Sequence, residues 1–555
     1  MNRHPKNIVF KPYEQNQLQL FPRNIEELIP KGHLVRLINK AIDRMDINFL
    51  IKTYKGGGTS SYHPRMLLKV IIYGYTERLY TSRKIAKAIR ENIHFMWLAG
   101  ENRPDFRTIN RFRSSRLKDE IDRVFIAIME MLIEAGYVNL RDYFLDGTKI
   151  EANANKNSYV WKKSVQRYKG QLQAKLKTLL AEIDEANARE DRHYGDRDLA
   201  ELGGDTELSS AQLEEKLAEL ETRLNGVKED KKLRKAVKHI KEDYLPRLEK
   251  YEDQERKLGN RNSYSRTDED ATFMRRKEDT LKNSQLRAAY NIQVGTEGQF
   301  ILGYSVHQNP GDSGLLIPHL EHIERLYGSL AERIIADSAY GSEQNYEYLE
   351  NKNIEAYVKY NTYHKEKTRA YQHNRFRPEH LAYNAEDDSY LCPAGQRLRY
   401  THTIVSVNPR GYKSYRRVYE AEDCKGCALR GLCYKGKGNR RIEVNTRLNS
   451  YRQRARDLLD SPEGRRMRAL RSVEVESVFG QVKHNGQFRR FHLRGLKKVH
   501  LELGLVAIAH NMKKWYHKEL DNGKKKAILC LNNFPRLLAA YFSIFSEKQF
   551  CTHPA

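Results

Sequence analysis

Tyr143-Phe144-Leu145-Asp146-Gly147-Thr148-Lys149-Ile150 is the stretch that decides the fold. An apolar run broken by an acid and a glycine is the pattern of a buried strand that delivers a carboxylate at its end. The pattern returns at Ile334-Ile335-Ala336-Asp337, followed by Ser338-Ala339-Tyr340-Gly341. A third acid, Glu476, lies in Val475-Glu476-Ser477-Val478-Phe479-Gly480-Gln481-Val482-Lys483. There Val475, Val478, Phe479 and Val482 have the spacing of a buried helical stripe. Glu476 and Lys483 fall on one flank of that stripe and Glu474 on the other. Magnesium takes oxygen ligands, usually one or two carboxylates plus a substrate phosphate. A pair of such ions can activate an attacking hydroxyl and stabilise the leaving oxygen of an in-line displacement. Two strand-end aspartates and a helical glutamate, converging across long gaps, therefore predict metal-dependent phosphodiester chemistry, with Lys483 beside the phosphate.

Working outward, the spacing predicts a strand over 140–150 ending at Asp146. A hairpin follows over 289–294 and 300–306, with Gly295-Thr296-Glu297-Gly298 as its turn. Next come a helix over 315–326, the strand ending at Asp337, a helix over 344–349 and a strand over 356–358. This order describes a mixed sheet with flanking helices. Two segments interrupt it. In the first, Val165, Tyr168, Leu172, Leu176, Leu179 and Ile183 keep one helical face, and a polar stretch spans 188–208. Leu213, Leu217, Leu220, Leu224 and Val227 then form a heptad seam, either an antiparallel hairpin or a short coiled coil, which Pro246 interrupts. The second, 366–445, is polar and aromatic and holds Cys392, Cys424, Cys427 and Cys433. These four could complete a tetrahedral zinc site, or be idle thiols. Helical periodicity resumes near Arg465 and runs to about Lys518, with Leu501, Leu505, Ile508 and Ala509 on one face. The apolar tail around residues 537–542 reads as a packing helix, and Cys530 and Cys551 as unrelated to the other four.

Residues 20–125 read as helical. Leu34, Leu37, Ile38 and Ala41 share a face, and Pro64 suits a first helical turn. Thr81 or Ser82 can cap one helix, and Asp105 another over 106–116. The latter displays Arg107, Asn110, Arg111, Arg113 and Arg116, a set suited to a major groove.

The chain has 555 residues, 99 Lys+Arg and 72 Asp+Glu, a net charge of +27. Its length calls for several domains. Its charge favours a polyanionic partner. Basic residues cluster around Glu476: Arg440, Arg441, Arg447, Arg452, Arg454, Arg456, Arg465, Arg466, Arg468 and Arg471 before it, Arg489, Arg490 and Arg494 after it. They are expected to line a DNA channel, with Arg471, Arg489 and Arg490 among the DNA-binding residues, the alternative being a solvated charge run. No apolar stretch approaches bilayer length, and nothing apolar follows Met1-Asn2-Arg3-His4-Pro5-Lys6, so neither a membrane span nor a signal peptide is expected. Six cysteines without such a leader point to a reducing cytoplasm.

These residues resemble the DDE-type transposases of bacterial insertion sequences, the group in which an N-terminal helical domain precedes Asp-Gly-Thr-Lys-Ile. Besides the three acidic segments, the resemblance rests on Thr267-Asp268-Glu269-Asp270-Ala271 and Tyr290-Asn291-Ile292-Gln293. It implies a multi-domain α/β protein with a ribonuclease-H-like core. That core would comprise 140–152, 285–365 and 446–520, after a helical DNA-binding domain over 1–130. A helical insertion over 153–284, a Cys-containing insertion over 366–445 and a tail over 521–555 complete the division. It implies that Asp146, Asp337 and Glu476 bind two Mg²⁺ (or Mn²⁺) per active site, with Lys483 as the basic residue seven positions after the Glu. The related signature often has an arginine four positions before the Glu; here that position is Ser472, with Arg471 one further back. The implied activity is binding of terminal inverted repeats, strand cleavage and strand transfer by a homodimer on double-stranded DNA, in the nucleoid-bearing cytoplasm. A metal-dependent nuclease without strand transfer, and a non-catalytic DNA-binding protein, are the alternatives.

Overall fold

The computed structural model describes residues 24–54, 61–194, 207–224, 231–275 and 286–546. The chain divides into two compact units, residues 1–116 with 512–555, and residues 117–511. The helix Ile121–Glu134 therefore belongs to the second unit, inside the span assigned from sequence to the N-terminal domain. The final helix, Leu496–Ser546, runs well beyond Lys518 into the segment expected to be a separate tail. The side chains of Leu224 and Cys530, and all of Met1–Lys6, Val227 and Cys551, lie outside the described residues.

The larger unit is built on a mixed sheet. Its strands are β1 (Asp142–Glu151), β2 (Thr272–Arg275), β3 (Leu286–Glu297), β4 (Phe300–His307), β5 (Arg333–Ala336) and β6 (Glu355–Val358). They lie in the order β2-β3-β1-β5-β6, with β4 also paired to β3. β3 is antiparallel to β1 and β4, whereas β1, β5 and β6 are parallel. This is the α/β arrangement, a mixed sheet with flanking helices, expected from the sequence.

Two sequence boundaries shift, each for a reason of pairing. β1 does not end at Asp146 but continues to Glu151, because β3 pairs with it from Phe144↔Thr296 to Glu151↔Ala289. The hairpin turn is two residues, Gly298 and Gln299, at φ 56° and 61°. Two adjacent left-handed residues match the twist of a tight hairpin, so Gly295 to Glu297 remain in the strand. Gly295 pairs with Gly303, and the Tyr143 ring lies across both; a Cβ at Gly295 would stand 1.8 Å from that ring.

The first interruption consists of the helices Lys162–Tyr194, Ser210–Leu224, Lys231–His239 and Leu245–Leu258. Leu172, Leu176, Leu180, Leu213, Leu217 and Leu220 meet there with Val237 and Ile240 in one apolar cluster. Leu213, Leu217 and Leu220 of the heptad seam are thus covered by their own chain, and Pro246 follows a π-helical turn, Ile240–Tyr244, that breaks the α-helical winding between Lys231–His239 and Leu245–Leu258. The second interruption is a five-stranded antiparallel sheet: β7 (Ala382–Asn384), β8 (Ser389–Leu391), β9 (Arg397–Val407), β10 (Lys413–Ala421) and β11 (Arg441–Val444). Among the described residues, no helix is long and apolar enough to cross a membrane.

In the smaller unit Pro64–Thr76 is a nearly wholly buried helix. Thr81 caps Ser82–Glu91 and Asp105 caps Phe106–Arg111, each side chain accepting from a backbone amide three residues on.

Candidate active site

The parallel register of β1 and β5 ends at Leu145↔Ala336. Asp146 and Asp337 are the next residue on each strand, so the two carboxylates emerge side by side where the strands part. The guanidinium of Arg471 binds both: Nη2 is 2.9 Å from Asp146 Oδ2 and 3.6 Å from Asp337 Oδ2. Arg471 is itself buried, yet Asp337 keeps 43% of its side chain exposed, so the acidic edge opens to solvent on that side.

Arg471 reaches this point because the helix is wound differently from a plain α-helix. From Pro462 to Asn485 the chain is helical, but Ser472–Glu476 and Gln481–Asn485 are π-helical turns. A π turn closes over five residues rather than four. It therefore brings Arg471 and Glu476 onto one side of the helix, although the sequence spacing places them one residue out of α-helical register. Glu474 points elsewhere. It is buried, and its carboxylate accepts the Gln299 amide at 2.6 Å in the β3–β4 turn. Glu476 is exposed. Lys359, directly after β6, senses both remaining acids. Burial and then the Arg471 charge push its ammonium below the ordinary lysine range, while Asp337 and Glu476 pull it back up.

Lys483 is buried and bonds the Thr148 hydroxyl. Thr148 is two residues beyond Asp146, on the same strand face and about 7 Å along it. The site therefore has four corners: the aspartate pair with Arg471, Glu476 nearby, Lys359 behind Asp337, and Lys483 behind Asp146. Among the described residues, the three acids are not drawn together within 4.8 Å of one another.

On the opposite face of β1 lies a polar network behind Asp146. Gly147 pairs with Gln293, and a Cβ there would stand 2.5 Å from the Gln293 amide and 2.6 Å from Asp312. Asp312 Oδ1 accepts from Asn291 at 2.7 Å and from Gln293 at 3.1 Å, and Tyr340 donates to the Gln293 carbonyl. Burial, followed by the charges of Asp312 and Asp146, holds the Tyr340 phenol well above its usual range, so it remains a donor. The segments around Thr267 and Tyr290 also acquire a place. Tyr290 donates to Asp268 at 2.9 Å, and the Gly495 amide donates to the same oxygen, fastening the start of the final helix to the sheet.

The expected DNA contacts divide. Arg107, Asn110 and Arg111 are exposed. Arg83, which the sequence reading passed over, joins them by stacking on Phe106 at 4.1 Å. Arg113 does not stand on that face. Residues 112–116 form a π turn that rotates it inward, where it is buried against Tyr80 O at 2.7 Å and the Tyr75 hydroxyl at 3.1 Å. Arg116 donates to Thr53 O and covers the Tyr54 ring at 3.7 Å. Near the acids, Arg489 donates to Lys483 O, and Arg490 is tied to Ala152 O and Ala154 O. Several arginines of the expected channel are matched by carboxylates: Arg441 by Glu420, Arg447 by Glu347, Arg454 by Glu350 and Arg456 by Glu366. A charge run in sequence is thus partly neutralised by acids from other elements.

Cys392 follows β8, and Cys424, Cys427 and Cys433 lie between β10 and β11; all four are free thiols lining one cavity. Backbone amides of Gln396 and Arg440 donate to the sulfurs of Cys392 and Cys424 at 3.2 and 3.3 Å, and the Arg440 guanidinium donates to Cys433 at 2.6 Å. No three of these sulfurs lie within 4.8 Å of one another.

None of the curated proteins and none of the solved structures matches the chain. Two family models do. One described as a transposase DDE domain matches residues 391–516, a span that takes in Glu476 and Lys483 but neither Asp146 nor Asp337. Another, a transposase domain (DUF772), matches residues 23–115, the helices of the smaller unit. One transposase model thus lies around Glu476 and a second over the N-terminal helices, and together they support a DDE transposase of an insertion element.

Proposed function

We propose that this transposase binds the terminal inverted repeats of its element as a homodimer on double-stranded DNA, and cuts and joins the ends at Asp146, Asp337 and Glu476. The observation that carries this reading is the register Leu145↔Ala336, which leaves two aspartates side by side at an open edge with a guanidinium between them. Carboxylates that close, and satisfied by a cation, form a donor set that suits hard divalent ions such as Mg²⁺ or Mn²⁺. Bound there, such ions would activate water or a 3′-hydroxyl and stabilise the leaving oxygen. The chain's own groups do the rest. Asp146 and Asp337 hold their position through the strand pairing and the Asn291–Gln293–Asp312 network behind Gly147. Lys483 is poised to contact a phosphate oxygen next to Asp146. Arg471 neutralises the aspartate pair until metal and DNA arrive. Arg83, Arg107, Asn110 and Arg111 would read or grip the element's ends. The four cysteines would hold a structural zinc that fastens the loop between β10 and β11 to β8.

The test uses purified protein and DNA carrying the inverted repeats that flank its gene. Asp146→Asn and Glu476→Gln should abolish cleavage and leave DNA binding intact. Cleavage by either variant at the unsubstituted rate would remove the assignment. Pre-cleaved ends that are never joined to target DNA would reduce the activity to that of a nuclease.

A further inference from the structure

Away from the acidic edge, three elements of the larger unit bring Asp122, His322 and His500 together. Asp122 opens the helix Ile121–Glu134, His322 lies on the helix Leu316–Tyr327, and His500 is in the first turns of the final helix. One donor atom from each lies within 4.8 Å of the other two, and among the described residues no other trio of His, Cys, Asp or Glu does so. His500 Nε2 is 2.8 Å from Asp122 Oδ1, and His322 Nε2 is 4.0 Å from Asp122 Oδ2. The His322 nitrogen is buried and makes no hydrogen bond.

We propose that Asp122, His322 and His500 form a binding site for a divalent transition metal of the zinc class, which braces the three helices against one another. Zinc–nitrogen and zinc–oxygen bonds of about 2.0–2.2 Å in a tetrahedron place neighbouring donors about 3.4 Å apart. The two separations seen here straddle that value, so small side-chain rotations complete the site. Two imidazoles with one carboxylate select zinc, cobalt or nickel over magnesium, which separates this site from the acidic edge. A partner group already orients the carboxylate: the Tyr304 hydroxyl donates to Asp122 Oδ1 at 2.8 Å. Such outer contacts are what fix a ligand for its metal. Tyr304 can reach Asp122 because residue 504 is glycine; a Cβ there would stand 2.3 Å from the phenol oxygen. A plain hydrogen-bonded staple of Tyr304, Asp122 and His500 accounts for two members of the trio. It leaves the buried His322 nitrogen without a partner.

The experiment titrates zinc alone into the full chain carrying Cys424→Ser and Cys427→Ser, with magnesium in excess throughout to occupy the acidic edge. One zinc should bind, its affinity unchanged by Asp146→Asn and at least tenfold weaker in His322→Ala and in Asp122→Asn. X-ray absorption of the bound zinc should show imidazole and no sulfur neighbours. No zinc uptake, equal affinity in His322→Ala, or a shell without imidazole would overturn the proposal. The absorption arm uses the chain with its trio intact, so it decides the matter even if His322→Ala misfolds. Sensitivity to Asp146→Asn alone would place the zinc at the acidic edge and overturn it too.

Discussion

Glu474 and Glu476 are two residues apart on one helical turn, and their substitutions should fail in opposite ways. Glu474 is 8% exposed, and its carboxylate accepts the Gln299 amide at 2.6 Å, with the Thr296 hydroxyl at 3.5 Å. Glu474→Ala removes a charged acceptor from a turn residue held at positive φ and leaves a donor without its partner. A hydrogen bond to a charged group contributes about 1.5–3 kcal/mol, and a stranded buried donor costs about 1–3 kcal/mol. These describe the same loss, so the expected destabilisation is about 2 kcal/mol. Glu474→Gln keeps an acceptor oxygen and loses only the charge assistance, so about 1 kcal/mol is expected. Glu476 is exposed, and Glu476→Gln should change stability by less than about 0.5 kcal/mol, as for most surface positions. Urea unfolding followed by tryptophan fluorescence measures the first effect, and cleavage of end DNA at 20 °C in magnesium, well below melting, measures the second. The expected pattern is a weakened but active Glu474→Gln and a stable, inactive Glu476→Gln. If Glu474→Gln is stable and inactive while Glu476→Gln cuts normally, the winding of the π turn has been misjudged and the catalytic acid is Glu474.

Other outcomes follow from the same contacts. Arg471→Gln leaves two close carboxylates without their cation. The metal-free protein should therefore lose about 1–3 kcal/mol, a figure reduced for the exposure of Asp337, and magnesium should restore much of the lost melting temperature; equal melting with and without metal would refute this. Arg111→Ala should lower preference for the element's ends without unfolding, whereas Arg113→Ala, which empties a buried hydrogen-bonded site, should destabilise the smaller unit, as circular dichroism would register. His307 is held neutral by burial, its pKa depressed to about 4 from an ordinary 6.5. Its contribution to stability is therefore present above pH 6.5 and is lost as pH falls toward 4. His307→Gln should flatten that part of the stability–pH curve.

Local pattern made much of this protein legible. A continuous apolar run leading to an acid marked β1 and β5 because burial on both sides of a central strand is written in its own residues. The caps at Thr81 and Asp105 were legible for the same reason, since each bond spans three residues. Alternation and capping say which side of an element is apolar and where it starts. They do not say which polar groups will meet. That Asp146 stands beside Asp337 follows from a strand register that no local signal carries. That Arg471 joins them follows from one extra residue in a helical turn, invisible to a reading at α-helical period. The same extra residue near Arg113 turned an expected DNA contact into a buried tie. Arginines counted as a channel found carboxylates on elements far away in sequence, and Asp122, His322 and His500 carry no shared motif at all. Tertiary structure decided these because charge and hydrogen bonding act at contact distance, and contact between distant segments is set by packing.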